Sequence, residues 1–136
     1  MRDIVVEARR TVFLDFGPIT RLQGDARVPI DISQVGTKLW FTVKENITDL
    51  YDDAKVAKTY EMTGGGQTGV GFAITTASSL TIPNGTIGIE DDEIDPEGVN
   101  GVYWLWDLTL EEPSGRRETV DGGTFKVLLP VSNPPA

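Results

Sequence analysis

The amino-acid sequence predicts an all-β sandwich, because it contains two long alternating segments and no amphipathic helix of useful length. Residues 37–45 (TKLWFTVKE) place Leu39, Phe41 and Val43 on one side. This period of two is typical of a strand with one buried face. Residues 102–110 (VYWLWDLTL) alternate in the same way. Because the two segments are far apart in the sequence, pairing between them is non-local, as in a sandwich.

The predicted core is centred on these two segments, which contain all three tryptophans. Residues 102–110 can bury either of two faces. If Tyr103 faces inward, Asp107 is a buried carboxylate that needs a partner. If Trp104 and Trp106 face inward, Asp107 lies in water. The predicted core residues are Leu39, Trp40, Phe41, Val43, Tyr103, Trp104, Trp106, Leu108, Phe125 and Val127.

The first part of the chain predicts several short strands. Residues 1–16 contain two strand-like pieces and end at a Gly-Pro turn. Residues 19–23 and 26–32 predict two further strands around Gly24-Asp25, and Pro29 favours an edge position or a bulge. After the central segment, Thr48 or Asp49 is predicted to cap a short helical turn.

The middle of the chain alternates again over residues 55–62 and then becomes glycine-rich over residues 63–71. Such a stretch predicts a mobile hairpin tip or a long loop. Its spacing lacks the Gly-x4-Gly-Lys pattern of a phosphate-binding loop. Short strands are predicted at residues 72–76, 79–82 and 86–90, with a hairpin turn at Asn84-Gly85.

The acidic stretch at residues 91–98 is the weak candidate for a metal site. A calcium loop of the EF-hand type needs Gly at its sixth position and Glu at its twelfth. Pro96 and Val102 stand there instead. We therefore predict a solvated acidic loop and no metal. An irregular calcium site would draw on Asp91, Asp92, Glu93 and Asp95.

The last part of the chain predicts a return strand at residues 116–120, a bend or bulge at 121–123 and a closing strand at 124–129. The total is about eight to ten short strands. The predicted organisation is an N-terminal strand or arm at residues 1–16, a sandwich at 17–130 and a tail at 131–136.

The composition excludes several classes of site. At 136 residues, one domain buries roughly two-thirds of the surface of its unfolded chain. The chain contains no cysteine and no histidine, so Ser-His-Asp and Cys-His nucleophiles and the usual zinc sites are excluded. The formal net charge of -9 repels a phosphate backbone, and we predict no nucleic-acid partner.

The remaining chemistry does not predict an enzyme or a cofactor. Carboxylates are plentiful, but a sandwich of short strands lacks the deep cleft that glycoside hydrolysis needs. No apolar run approaches the about 18 residues that span a bilayer, and the N-terminus has no signal-like apolar block. We therefore expect synthesis in the cytoplasm, use without export and no membrane partner.

The order of the motifs resembles that of small immunoglobulin-like phage tail proteins related to the N-terminal domain of the baseplate upper protein family. The resemblance covers about residues 19–129, and its motifs are structural. The first block comprises residues 28–33 (VPIDIS), 36–45 (GTKLWFTVKE), 49–54 (DLYDDA) and 56–58 (VAK). The second comprises residues 101–110 (GVYWLWDLTL), 113–116 (PSGR), 118–120 (ETV) and 123–127 (GTFKV).

The resemblance implies an immunoglobulin-like antiparallel sandwich that acts as a structural protein of a bacteriophage virion. Its partners would be other phage structural proteins and further copies of itself, met through sheet edges and loops. A tail or baseplate adaptor is expected, with residues 1–16 as an arm on a neighbour's sheet. A head decoration protein is the alternative within viruses. A carbohydrate-binding module with Trp40, Trp104 and Trp106 as a stacking platform is the alternative from another class.

Overall fold

Nearly every described element is a β-strand, and the strands form two facing sheets and a small hairpin. The computed structural model describes residues 3–8, 10–46, 48–76, 83–95 and 102–128. The strands there are β1 (Ile4–Glu7), β2 (Val12–Pro18), β3 (Thr20–Gln23), β4 (Ala26–Pro29), β5 (Lys38–Lys44), β6 (Val56–Thr63), β7 (Gly66–Thr68), β8 (Phe72–Thr76), β9 (Pro83–Ile89), β10 (Val102–Glu111) and β11 (Arg117–Leu128). Short 3₁₀ turns lie at Tyr51–Asp53 and Asp91–Glu93.

The all-β prediction is confirmed, but the predicted number of strands is too low. Eleven strands form in the described part of the chain, against about eight to ten expected from the pattern. One source of the difference is the glycine-rich stretch, which contributes β7 as an ordered hairpin partner of β6. Another is that both pieces of residues 1–16 form strands.

The larger sheet has six strands in the order β1-β11-β10-β5-β6-β7. The predicted pairing of the two aromatic segments is confirmed, since β5 and β10 are antiparallel neighbours with Leu39 opposite Leu110. Residues 117–128 form one continuous strand instead of two. The bulge predicted at residues 121–123 is wrong in position, because these residues pair regularly with β10. The register shifts at Val120 instead, since Leu108 faces Asp121 and Thr109 faces Thr119.

The N-terminal segment lies within the chain's own sheets. Strand β1 pairs in parallel with β11, and β2 pairs with β9 in the three-stranded sheet β2-β9-β8. Val6 and Ala8 are buried in the core. These residues therefore belong to the sandwich and do not form a separate arm, and the expected boundary at residue 16 falls inside β2.

The two sheets are joined by aromatic side chains. Phe16 of β2 packs against Phe41 of β5 and Trp106 of β10, with ring centroids 5.6 and 5.7 Å apart. Tyr60 of β6 meets Phe72 of β8 at 5.8 Å. Large rings supply much apolar area per residue, so these contacts account for a large part of the burial between the layers.

Two residues of the predicted core are not buried in it. Tyr103 is 61% exposed, and Trp40 is only partly buried. Successive side chains of a strand point to opposite faces, so the inward Leu39 and Trp104 force their neighbours outward. The other predicted core residues are buried: Leu39, Phe41, Val43, Trp104, Trp106, Leu108, Phe125 and Val127.

Local turn predictions met mixed outcomes. Gly24, at φ 62°, lies in the turn between β3 and β4, as expected. Asn84 and Gly85 are not a hairpin turn, because both pair with β8 inside β9. The turn at Tyr51–Asp53 has Leu50 at its N-cap and no side-chain capping bond. The predicted strand at residues 79–82 and the tail at 131–136 lie outside the described residues.

Candidate functional site

The outer face of the six-stranded sheet is the candidate site. It carries the alternate residues of β5 and β10 that point away from the second sheet. These side chains combine aromatic, hydroxyl and charged groups, whereas the inner face is apolar. Of the two faces that residues 102–110 could bury, the buried one carries Trp104 and Trp106. Asp107 therefore lies on the outer face.

A concavity of about 370 Å³ lies on this face, between the middle of the sheet and the turn at Tyr51–Asp53. We call it the Trp40 slot. Tyr51 is 43% exposed, and its burial together with the charge of Asp52 raises the pKa of its hydroxyl. The slot is lined by Trp40, Thr42, Lys44, Tyr51, Asp107, Thr109 and Arg117.

One wall of the slot is fixed by an ion pair. The guanidinium of Arg117 lies 5.0 Å from the centre of the Trp40 ring, a cation–π contact. Arg117 also donates to Glu111 Oε1 from Nη2 at 2.7 Å and from Nε at 3.2 Å. The hydrogen bond from Arg117 lowers the pKa of Glu111, with smaller effects from the nearby positive charges. Because the Arg117 side chain is 62% exposed, this ion pair is a surface contact that contributes little to stability.

The floor of the slot is a polar pair that crosses between strands. Thr42 and Asp107 are opposite one another in the register of β5 and β10. The hydroxyl of Thr42 donates to Asp107 Oδ1 at 3.0 Å. On the next strand Gly122 faces Asp107. Since glycine has no side chain, the carboxylate remains accessible from a second concavity of about 310 Å³ beside the slot.

The acidic stretch does not form a metal centre in the described part of the chain. No group of three or more His, Cys, Asp or Glu there is arranged to hold an ion. Glu93 instead accepts a hydrogen bond from the buried Lys58 ammonium at 2.7 Å and one from the backbone of Glu90 at 3.0 Å. Asp92 and Asp95 are exposed, and the side chain of Asp91 lies outside the described residues.

The hypothesis that all three tryptophans form a stacking platform is wrong. Trp104 and Trp106 are buried between the sheets, and only Trp40 reaches the outer face. Sequence reasoning missed Tyr51 and Arg117 as members of this site. Tyr51 was visible only as an aromatic residue inside an acidic turn, and Arg117 only as part of the predicted return strand at residues 116–120. The contact of Arg117 with Trp40 and the position of Tyr51 in the same concavity both depend on the tertiary fold.

A larger concavity of about 530 Å³ lies near the hairpin of β3 and β4. Arg21 of β3 bridges to Glu112 and to Glu118, the latter at 2.8 Å. These ion pairs tie the hairpin to the end of β10 and the start of β11. We interpret the concavity as a seam between structural elements, because its charged groups already have partners.

Neither a protein-family model nor a curated protein matches the chain. Within the described residues, no helix combines the length and apolar character needed to cross a membrane.

Proposed function

We propose that the chain is a non-enzymatic structural component of a tailed bacteriophage virion, an immunoglobulin-like adaptor of the tail or baseplate. The observation that supports this most is the placement of the two motif blocks. The segments that carry the resemblance, at residues 36–45 and 101–110, include β5 and β10, which are hydrogen-bonded neighbours in the middle of the larger sheet. Motifs that are distant in the sequence thus belong to one structural unit.

The surface of the sandwich offers a contact face for such a role. Val5 and Tyr103 are 59% and 61% exposed, and both lie beside Lys126 in the register of β1, β11 and β10. Leu105, two residues along β10, is 40% exposed on the same face. We call Val5, Tyr103 and Leu105 the apolar patch. Lys126 lies between Val5 and Tyr103, and its ammonium is 5.0 Å from the centre of the Tyr103 ring. Exposed apolar residues beside polar groups are typical of protein interfaces.

Assembly would take place in the host cytoplasm and would use this patch together with the sheet edges. Strands β1 and β7 bound the larger sheet, and β2 and β8 bound the smaller one. Edge strands carry unpaired backbone groups that a neighbouring subunit can bind. Partners are other virion proteins and further copies of this chain, and the net charge of -9 disfavours contact with the packaged genome.

Copy number tests the proposal directly. Quantitative mass spectrometry of purified particles would compare this chain with the major capsid and tail-tube proteins. A small multiple of about three or six copies per particle, as tail symmetry requires, is the expected result. A number comparable to that of the capsid protein would assign the chain to the head surface as a decoration protein. Absence from the particles would overturn the virion role.

A variant of the apolar patch tests the contact face. Leu105→Asp adds a charge to the patch and is expected to lower incorporation into particles by about tenfold, because it desolvates a charge in the interface. Leu22→Asp is the matched control, since Leu22 is also an exposed leucine but lies on the β3–β4 hairpin. Equal incorporation of the two folded variants would contradict the assignment of the patch.

A further inference from the structure

The Trp40 slot has the surface chemistry of a site for one sugar ring. Trp40 and Tyr51 both line it, and they are the only aromatic residues among its lining groups in the described chain. An aromatic ring packs against the apolar C–H face of a sugar, and the phenolic hydroxyl of a tyrosine remains available for hydrogen bonding. The volume of about 370 Å³ lies in the range of small-ligand sites.

The polar groups of the slot match the hydroxyls of such a ring. Asp107 uses Oδ1 to accept from Thr42, and its other oxygen has no bond to a described residue. Lys44 lines the slot as well, and the described residues provide no ion pair for its ammonium. A carboxylate only accepts and an ammonium only donates. Together they can bind adjacent hydroxyls, each of which both donates and accepts.

The charge balance of the slot favours an uncharged ligand. Asp107 in the floor repels a phosphate or a carboxylate, and the one arginine present is already held by Glu111. A cationic ligand would be repelled by Lys44 and Arg117. A polyhydroxyl ring avoids both repulsions, and it supplies partners for the second oxygen of Asp107 and for the Lys44 ammonium, which have none among the described residues.

We propose that the Trp40 slot binds one uncharged pyranose unit of a glycan, packed on Tyr51 and on the part of Trp40 that the Arg117 guanidinium leaves uncovered, and hydrogen-bonded by Asp107 and Lys44. This binding goes beyond the structural role proposed above and does not depend on it. Only one sugar unit is held, because the other two tryptophans are in the core and the slot has a single indole. A single shallow site of this kind gives a Kd of about 1 mM.

Ligand-observed saturation-transfer NMR on the full chain tests the site. The probes are the methyl glycosides of glucose, galactose, mannose and N-acetylglucosamine at about 10 mM, roughly tenfold above the expected Kd. Two variants alter the slot: Tyr51→Ala removes an aromatic wall, and Asp107→Asn replaces an acceptor with a donor while it keeps the bond from Thr42. Tyr103→Ala is the control, an exposed tyrosine on the same face outside the slot.

At least one glycoside is expected to bind the parent chain and Tyr103→Ala, with affinity at least about tenfold weaker in both slot variants. Denaturation curves establish that each variant is folded, and Tyr51→Ala carries the test if Asp107→Asn does not fold. Lack of binding by all four glycosides, or binding that survives the slot variants, would overturn the proposal. Particle incorporation is measured separately, so failure here leaves the virion role untouched.

Discussion

At the scale of single residues, the strand register decides whether a side chain's polar group is buried. Tyr60 and Tyr103 both lie in central parts of the larger sheet, but Tyr60 faces the core and Tyr103 faces solvent. The buried hydroxyl of Tyr60 donates to the carbonyl oxygen of Ile32 at 2.6 Å. A buried carbonyl that loses its partner carries a desolvation cost, so this hydroxyl is a structural group.

Replacement of Tyr60 by phenylalanine is expected to lower the free energy of unfolding by about 1–2 kcal/mol, because the carbonyl of Ile32 loses its donor. Urea denaturation at neutral pH measures the loss. Tyr103→Phe is the matched control, since its hydroxyl is exposed, and it should change stability by less than about 0.5 kcal/mol. Equal stability of Tyr60→Phe and the parent chain would show that the bond does not stabilise the fold.

The same residue predicts a pH dependence. Burial raises the pKa of Tyr60 above its ordinary value of 10.0, and the charge of Asp31 adds to the shift. A raised pKa means that the folded state holds the phenolic proton more tightly. This contribution to stability is therefore complete below pH 10.0 and is lost as the pH rises through the folded-state pKa. As the pH rises through that range, the free energy of unfolding should fall less for Tyr60→Phe than for the parent chain, because phenylalanine has no proton to lose.

At the scale of elements, the glycine-rich stretch is an ordered part of the sheet. Strand β7 pairs antiparallel with β6, and the chain then continues alongside β6, where Val70 and Thr59 exchange backbone hydrogen bonds at 3.0 and 3.1 Å. Gly69 has φ 136°, and a Cβ there would lie 2.2 Å from the carbonyl oxygen of Thr59. Glycine is therefore required at this position by both conformation and space.

A comparison of Gly69→Ala with Gly66→Ala separates the cost of the backbone conformation from the cost of the steric clash. Both positions have positive φ, but a Cβ at Gly66 would meet no atom within 4 Å. Gly66→Ala should therefore show only the conformational cost of about 1–2 kcal/mol. Gly69→Ala should cost at least about 1 kcal/mol more, because the backbone of β6 has to shift. Thermal denaturation of both variants measures the difference, and equal losses would argue against the close contact.

The acidic 3₁₀ turn at Asp91–Glu93 is anchored through one residue. Lys58 of β6 is buried, and Glu93 is the carboxylate that neutralises it. Glu93→Gln should lower the free energy of unfolding by about 1–3 kcal/mol, since it leaves a buried charge without its counter-ion. Asp92→Asn, an exposed change in the same turn, is the control and should be close to neutral. Chemical denaturation distinguishes them, and similar effects would show that the ion pair contributes little.

At the scale of the whole molecule, stability depends on packing between the sheets. Phe13 and Phe16 lie on the same strand, but Phe13 is 75% exposed and Phe16 is 8% exposed. Phe16→Ala should cost about 3–5 kcal/mol, because it opens a cavity against Phe41 and Trp106. Phe13→Ala should cost less than about 1 kcal/mol. If equilibrium unfolding showed equal losses, the aromatic cluster would not be the main link between the sheets.

The alternation of residues 37–45 and 102–110 was enough to predict a sandwich, its central strand pair and the buried face of β5 with Leu39, Phe41 and Val43. Periodicity is a local property, so the sequence by itself determines which residues share a face. The sequence alone also excludes the sites that need cysteine or histidine, because it contains neither residue.

Only the tertiary structure decided which face of β10 is buried, because the second sheet has to cover one side and Phe16 covers the side of Trp106. The same holds for Asn84-Gly85, whose turn propensity yields to pairing on both sides of β9. The Trp40 slot also depends on long-range contacts, since β5, β10, β11 and the turn at Tyr51–Asp53 each contribute to it. A sequence pattern carries no distance between segments that meet only on folding.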